Sequence, residues 1–429
     1  MSAIWFRRGV VPARAERPAH PSFSRRNAWV PVLCLAGSVA IAASAQESAP
    51  PVGEAPAATA PESVKPEPSV EQVRTAITRG LGFLAKDQNP DGSWGGLKDG
   101  TNTFTGDVWS NPETHLTWKV ATTGLCVLAL LEAGGTPEDA VSLNKGIDYL
   151  LANPVLRRPS DWDTMNCWAN IYALQALAEV AAHPRFAESP QRDRIREVAA
   201  GHARQLTQYQ SVNGGWGYLE FDIPRTRRPQ WSTSFTTAAA VIALQDAKRC
   251  GIEVDAKTIE RGARAIRQCR LPTGAFTYSV NAIPSPGGAE WIDQIKGSLS
   301  RIQVCNLALL YCGDPVTQDT LRWGMDVFFE HHRWLDNALH KPIPHETYYL
   351  NSGYFYLFGH YYAARVLELL PETDRVKYRA ALQREVMKIQ GTDGAIWDYP
   401  MHAYDKPYGA AFGVMALQRS LKTPDRPSP

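Results

Sequence analysis

The chain has 429 residues, 44% of them hydrophobic and 21% charged, which supplies a sizeable core and excludes wholesale disorder. Its formal charge of +2 conceals an asymmetry: residues 1–45 hold six Arg and one Glu, and the remainder carries 39 bases against 42 acids. A mildly acidic body without a concentrated basic face argues against a nucleic-acid partner.

Arg25 and Arg26 precede an apolar run from Trp29 to Ala43, and Ala43 and Ala45 stand where signal peptidase requires small side chains. Residues 1–45 therefore read as a signal peptide cut near Ala45, with the mature protein exported to the periplasm or the exterior. The run is too short and too glycine-interrupted for a permanent span, which needs about 20 apolar residues, and no other segment reads as a stable membrane span. Ser24-Arg25-Arg26 forms part of a twin-arginine pattern, so both secretory routes stay open. Residues 46–70, rich in Pro, Ala and Glu without an apolar period, read as a disordered tether. The folded body is expected over 71–422, with a disordered tail at 423–429. Of the body's six cysteines, Cys126, Cys167 and Cys305 sit in apolar helical runs, where a thiol acts as a small hydrophobe, and the reduced state is expected.

The body repeats itself. One unit starts at Arg79-Gly80, carries Phe83 and Gln88, and ends Gly92-Ser93-Trp94-Gly95; a second places Gln210 before Gly214-Gly215-Trp216-Gly217; a third runs from Gln390 through Gly394 to Trp397. Weaker copies contain Gly146, Gly262 with Gly274-Ala275-Phe276, and Gly324. In phase at 80, 146, 202, 262, 324 and 382, the six copies are 66, 56, 60, 62 and 58 residues apart. Each begins with an amphipathic, charged helix, as in 195–208, 258–269 and 376–389. Each continues with a helix apolar nearly all round, as in 121–132, 236–245 and 408–418. A helix apolar on every side must be enclosed on every side. Six hairpins with an outer first helix and an enclosed second helix close into an all-α (α/α)6 toroid, which needs no polar capping repeat.

This pattern resembles the terpenoid cyclase and protein prenyltransferase superfamily, whose QW repeat is carried here by Gly80, Phe83, Gln88, Gly92 and Trp94, and again by Gln210, Gly214 and Trp216. The resemblance spans about residues 70–420 and implies the toroid, with the tryptophans and glutamines acting as structural staples. The family's chemistry transfers poorly. Where triterpene cyclases carry their acidic motif, aligned on Thr237-Ala238, this chain has Thr233, Phe235 and Thr236; Asp161-Trp162-Asp163-Thr164 is a looser echo. Where prenyltransferases bind zinc, Gln303 replaces the carboxylate ahead of Cys305, and Tyr348-Tyr349 stands in place of histidine. His331, His332, His345 and His360 lack zinc spacing, so no metal or cofactor is expected.

A sixfold ring gathers the segments ahead of the enclosed helices around one mouth. They supply the catalytic candidates Asp161, Asp163, His345, Glu346 and Asp405, and the ligand-binding candidates Trp162, Trp291, Tyr348, Tyr349, His402 and Tyr404. Two functions fit. One is a binder of an apolar, isoprenoid or peptide ligand in a central cavity. The other is an enzyme acting on a carbohydrate or lipid through carboxylate acid–base chemistry, which wants two carboxyls about 5–9.5 Å apart.

Overall fold

The computed structural model describes residues 67–97, 112–156, 162–164, 166–221, 228–280 and 290–421, which lie in the compact unit Lys65–Pro429. The leader, residues 46–66 of the tether and the tail fall outside the described residues, as does Asp161; the tether's last residues, Ser69 and Val70, cap and open the first helix.

The amphipathic segments form six outer helices: α1 (Val70–Asp87), α3 (Pro137–Ala152), α5 (Arg192–Tyr209), α7 (Ala256–Cys269), α10 (Gln318–Glu330) and α13 (Glu372–Met387). All six repeat phases fall inside them. Local chemistry starts them: Ser69 with Gln72, and Thr136 with Asp139, form reciprocal capping boxes ahead of α1 and α3. The apolar segments form α2 (Pro112–Ala133), α4 (Asn166–Ala182), α6 (Ser234–Arg249), α9 (Leu299–Tyr311), α12 (Phe355–Leu367) and α14 (Asp405–Leu421). All 13 residues of α12 are buried, against 5 of 16 in α13, which separates inner from outer as the composition requires. Two short helices, α8 (Glu290–Asp293) and α11 (Arg333–Asp336), lie in connections.

The inner helices pack in the order α2, α4, α6, α9, α12, α14 and back to α2. The ring is closed. First-turn residues meet first-turn residues across it, as Trp168 of α4 meets Phe358 of α12. Last-turn residues meet last-turn residues, as Arg365 of α12 meets Asp246 of α6. The inner helices therefore run parallel, and every connection into them gathers at one end.

The repeat motif holds neighbouring hairpins together. Gln88 Nε2 donates both to its own turn at Gly92 and onward to Ser142 of α3 at 2.9 Å. Gln210 bridges likewise to Thr258 of α7, and Gln390 bridges to Ala76 of α1, so the last staple closes the ring on the first outer helix. Trp94 donates to Leu84 and packs on Gly146, while Trp216 donates to Leu206 and packs on Gly262. Gly92 and Gly394 have φ of +87° and +89°, and a Cβ at either would come within 2.4 Å of a backbone oxygen of the next helix; only glycine fits.

Several expectations need correction. In the third copy Ile396 holds the register position of the indole, buried against Gly413 of α14, while Trp397 stacks on His340; Phe276, also buried, holds that position in the weaker copy. Tyr348 and Tyr349 do not open the fifth inner helix, which begins only at Phe355, after a turn with Leu350 at φ +55°. The fold also carries one small antiparallel sheet, β1 (Trp162–Thr164) paired with β2 (Leu219–Phe221). The segment Thr114–Ala133 is long and apolar enough to cross a membrane, but 78% of it is buried inside the ring; its apolarity belongs to an enclosed helix. The six body cysteines are free thiols.

Candidate functional site

Along the axis the inner helices contribute aromatic layers at this end. Where chain connections arrive, Trp168, Phe235, Phe355 and Phe358 meet ring to ring at centroid distances of 5.1–6.1 Å. Below them Tyr172 packs on Phe412. Trp168 and Phe358 come from opposite sides of the ring, so aromatic side chains bridge the axis at this level.

One wall of the rim is a row of hydroxyls ending on a histidine. His345 Nδ1 lies 2.6 Å from the Leu350 carbonyl. A carbonyl only accepts, so Nδ1 carries the hydrogen and the neutral ring leaves Nε2 as an acceptor. Tyr354 donates to it at 3.1 Å, and beside it the Tyr278 and Tyr218 oxygens are 2.5 Å apart, with the Tyr278 ring 5.2 Å from that of His345. With Nε2 accepting, Tyr354 is the donor to His345, while Tyr218 and Tyr278 form a hydroxyl pair of their own. Burial holds His345 below its usual range and holds all three phenols above theirs, so at neutral pH the imidazole is uncharged and the hydroxyls keep their protons. The turn is strained to achieve this: His345 has φ +63°, held by its N–H donating to Ser352 Oγ at 2.9 Å.

Arg301 of α9 stands beside this row. It is 1% exposed, with its guanidinium 5.6 Å from the Tyr278 ring centre. Its Nε donates to the Phe276 carbonyl at 3.1 Å, its Nη2 donates to Ile292, and Asp293 is 3.9 Å away. Nη1 has no partner. A buried guanidinium N–H without an acceptor costs stability unless a ligand supplies one.

The opposite wall joins α2 to the segment before α14. Tyr404, fully buried, donates to the His115 carbonyl at 3.1 Å, so the 3.0 Å contact between Tyr404 Oη and His115 Nδ1 is donated by the histidine. His115 Nε2 is then a bare acceptor, buried and without a partner. Burial and the neighbouring His402, 5.1 Å away ring to ring, lower His115 to about 4. Trp118 closes this group against His402 and Tyr404.

The sequence candidates are thus placed unevenly. His345, His402 and Tyr404 belong to the rim walls, Tyr404 from behind. Glu346 is exposed, and His345 turns to Tyr354 instead of pairing with it. Asp405 opens α14, where its Oδ1 accepts the Lys406 N–H at 2.7 Å; with burial as the larger cause, it helps raise Asp87 at the end of α1 to about 6. Trp291 and Tyr348, 44% and 58% exposed, stack at 4.9 Å, and Trp334 and Tyr349 extend the platform. Trp162 and Asp163 lie on β1, with side chains outside the described residues. Tyr218, Tyr278, Tyr354 and Arg301 were not among the candidates; isolated tyrosines and one arginine on an apolar helix carry no spacing signal. Cys305, in the zinc-like position, is a buried thiol raised by burial and bonded to the Ser234 carbonyl.

No protein-family model and no curated protein matches the chain. Among solved structures it is similar to a type II terpene cyclase from Scytonema in complex with geranylgeranyl dihydroxybenzoate (14% identity, 82% of this chain and 97% of that one, TM-score 0.45). It is also similar to a possible GH105 family member from Salmonella enterica (12%, 87% and 98%, 0.47) and to an inactive variant of an alpha-1,6-mannanase from Salegentibacter sp. (12%, 81% and 98%, 0.49). The α/α-toroid assignment rests on the chain's own closed ring of helices.

Proposed function

We propose that the protein is an exported enzyme that acts on a carbohydrate bearing an anionic group, by acid–base chemistry at the rim of the toroid. The observation that carries this reading is the row of phenols Tyr218, Tyr278 and Tyr354 ending on His345, beside a buried Arg301 with an unpartnered donor. A substrate proton taken by Tyr218 releases that phenol's own hydrogen to Tyr278; closing the gap between Tyr278 and Tyr354 hands a hydrogen on, and the last arrives at His345 Nε2. No free phenolate has to form, which suits phenols held above their usual range. Arg301 Nη1 offers its donor to a substrate carboxylate or sulfate, and its charge stabilises negative charge developing near Tyr278. The stacked platform of Trp291 and Tyr348 supplies flat, exposed rings of the kind on which sugar faces stack. The carboxylate version of the chemistry is the weaker one, because Glu346 is exposed and Asp405 bonds its own helix start.

Export rests on the leader. The apolar-ligand reading keeps one supporting observation, the aromatic floor, but that floor is filled by the protein's own rings. The test is incubation of the mature chain with uronic-acid, sulfated and neutral glycans, scoring new reducing ends and new unsaturated ends. Turnover confined to anionic glycans and lost in Tyr218→Phe is expected. Equal turnover by the wild type and Tyr218→Phe would sink the relay, and turnover of neutral glycans alone would sink the role of Arg301.

A further inference from the structure

Outside the rim, three acceptors converge between the fifth and sixth hairpins. His332 follows α10, Asp336 ends α11, and Glu385 stands on α13. His332 Nδ1 is 3.3 Å from Asp336 Oδ2 and 3.5 Å from Glu385 Oε2, and one ligand atom from each residue lies within 4.8 Å of the others. The imidazole is 7% exposed, whereas the Asp336 and Glu385 side chains are 37% and 23% exposed. Solvent therefore reaches the carboxylate side only.

Counting protons shows what the group lacks. His360, fully buried on α12, has Nδ1 2.7 Å from the Tyr356 carbonyl. That nitrogen must carry hydrogen, so neutral His360 leaves Nε2 bare. His332 Nε2 lies 3.1 Å from it and has to supply the hydrogen between them. A neutral His332 then turns a bare Nδ1 toward two carboxylate oxygens. Lys388 Nζ meets Asp336 Oδ1 at 2.6 Å and also meets Glu385, which sets one positive charge against two negative ones. Three acceptor atoms thus lie within 4.8 Å of one another with one lysine between the two carboxylates, while Tyr356 also donates to Glu385 Oε2 at 3.3 Å; a second positive charge fits among them.

We propose that this group takes a divalent transition-metal ion of the zinc class, held by His332 Nδ1, Asp336 and Glu385. His360 is a positioning residue behind the imidazole, fixing which nitrogen faces the ion. One imidazole with carboxylates suits zinc or cobalt, whereas calcium and magnesium prefer oxygen alone. The ion takes the place that a hydrogen on His332 Nδ1 would otherwise fill. Lys388 is a built-in competitor, because it must yield Glu385. Once bound, the ion ties the connection after α10 to the last outer helix.

The test uses the tag-free mature chain stripped with a chelator, titrated with Co2+ followed by visible absorption and with Zn2+ followed by calorimetry. One site is expected, with a Co2+ band that Zn2+ displaces. Glu385→Gln, on a partly exposed outer helix where folding is not at risk, should weaken Zn2+ by at least about 10-fold, and His360→Gln by about 10- to 100-fold. Lys388→Met should tighten it. Absence of both the Co2+ band and Zn2+ heat overturns the proposal and leaves a proton at that point. Binding unchanged in Glu385→Gln overturns it too, because it would place the metal on the cysteines or other histidines.

Discussion

The two ends of the toroid are built from the same six helices and solve burial in opposite ways. Where the inner helices end, charge is buried in pairs. Arg365 grips Asp246 through both terminal nitrogens at 3.0 Å, Gln175 donates to the same carboxylate at 2.8 Å, and Arg249 joins them. Arg419 bridges Glu368 at 2.7 Å and Glu132, with Tyr311 and Tyr361 flanking the guanidinium groups. Where the inner helices begin, the buried groups are mostly neutral rings and hydroxyls around one guanidinium, Arg301, whose nearest carboxylate, Asp293, is 3.9 Å away. Unpartnered buried atoms occur at both ends, Arg365 Nε and Arg419 Nε at one and His115 Nε2 and Arg301 Nη1 at the other. Close charge pairing is what sets the first end apart.

The largest effects should come from breaking the wedge and the paired end. Trp216→Ala, which empties the wedge between two hairpins, should cost about 3–5 kcal/mol, since a large buried ring is removed. Arg365→Met leaves the buried Asp246 with only Arg249 and Gln175 and should cost about 3 kcal/mol in urea unfolding; a loss near zero would mean the plug only excludes water. At the other end the balance reverses. Tyr218→Phe should cost about 1 kcal/mol of stability at most, while lowering turnover of an anionic glycan by about 100- to 10,000-fold. A variant that loses both equally would erase the distinction between the ends.

The smallest and most diagnostic effect is in pH. Burial raises Asp246, but Arg365 and Arg249 more than offset it and hold the carboxyl below its usual value. Its stabilisation is therefore present above the ordinary carboxylate range and is lost as pH falls through the lowered value. Asp87, in the seam between α1 and α14, is shifted the other way, to about 6, by burial and then by Asp405. Its contribution is present below the ordinary carboxylate range and is lost as pH rises through about 6. Asp87→Asn should therefore flatten the fall in melting temperature between acid and neutral pH, and Arg365→Met should flatten the acid limb instead. Identical melting profiles in both variants would show that neither carboxyl is shifted.

Much of the architecture was readable along the chain. A helix with 13 of 13 residues buried has to be apolar on every face, and a helix with a solvated side has to alternate, so composition alone separates inner from outer. The repeat phases were legible because Gly92, Gly214 and Gly394 answer a backbone constraint that no other residue meets. Indole identity was less legible: Ile396 and Phe276 hold the register position of Trp94 and Trp216 and are equally buried, because apolarity is what that position requires. Apart from His345, the catalytic candidates were read as carboxylates because paired acids leave a pattern in sequence. Tyr218, Tyr278 and Tyr354 come from three separate connections and leave none.

By itself, then, the sequence determined the helical period, the glycine turns and the number of hairpins, because each depends on residues close together in the chain. The tertiary structure decided what fills the axis, which tautomer each histidine holds, and which polar atoms are left without partners. Those depend on side chains up to 289 residues apart, such as His115 and Tyr404, meeting in one place, where a hydrogen bond made by one residue dictates what the next can offer.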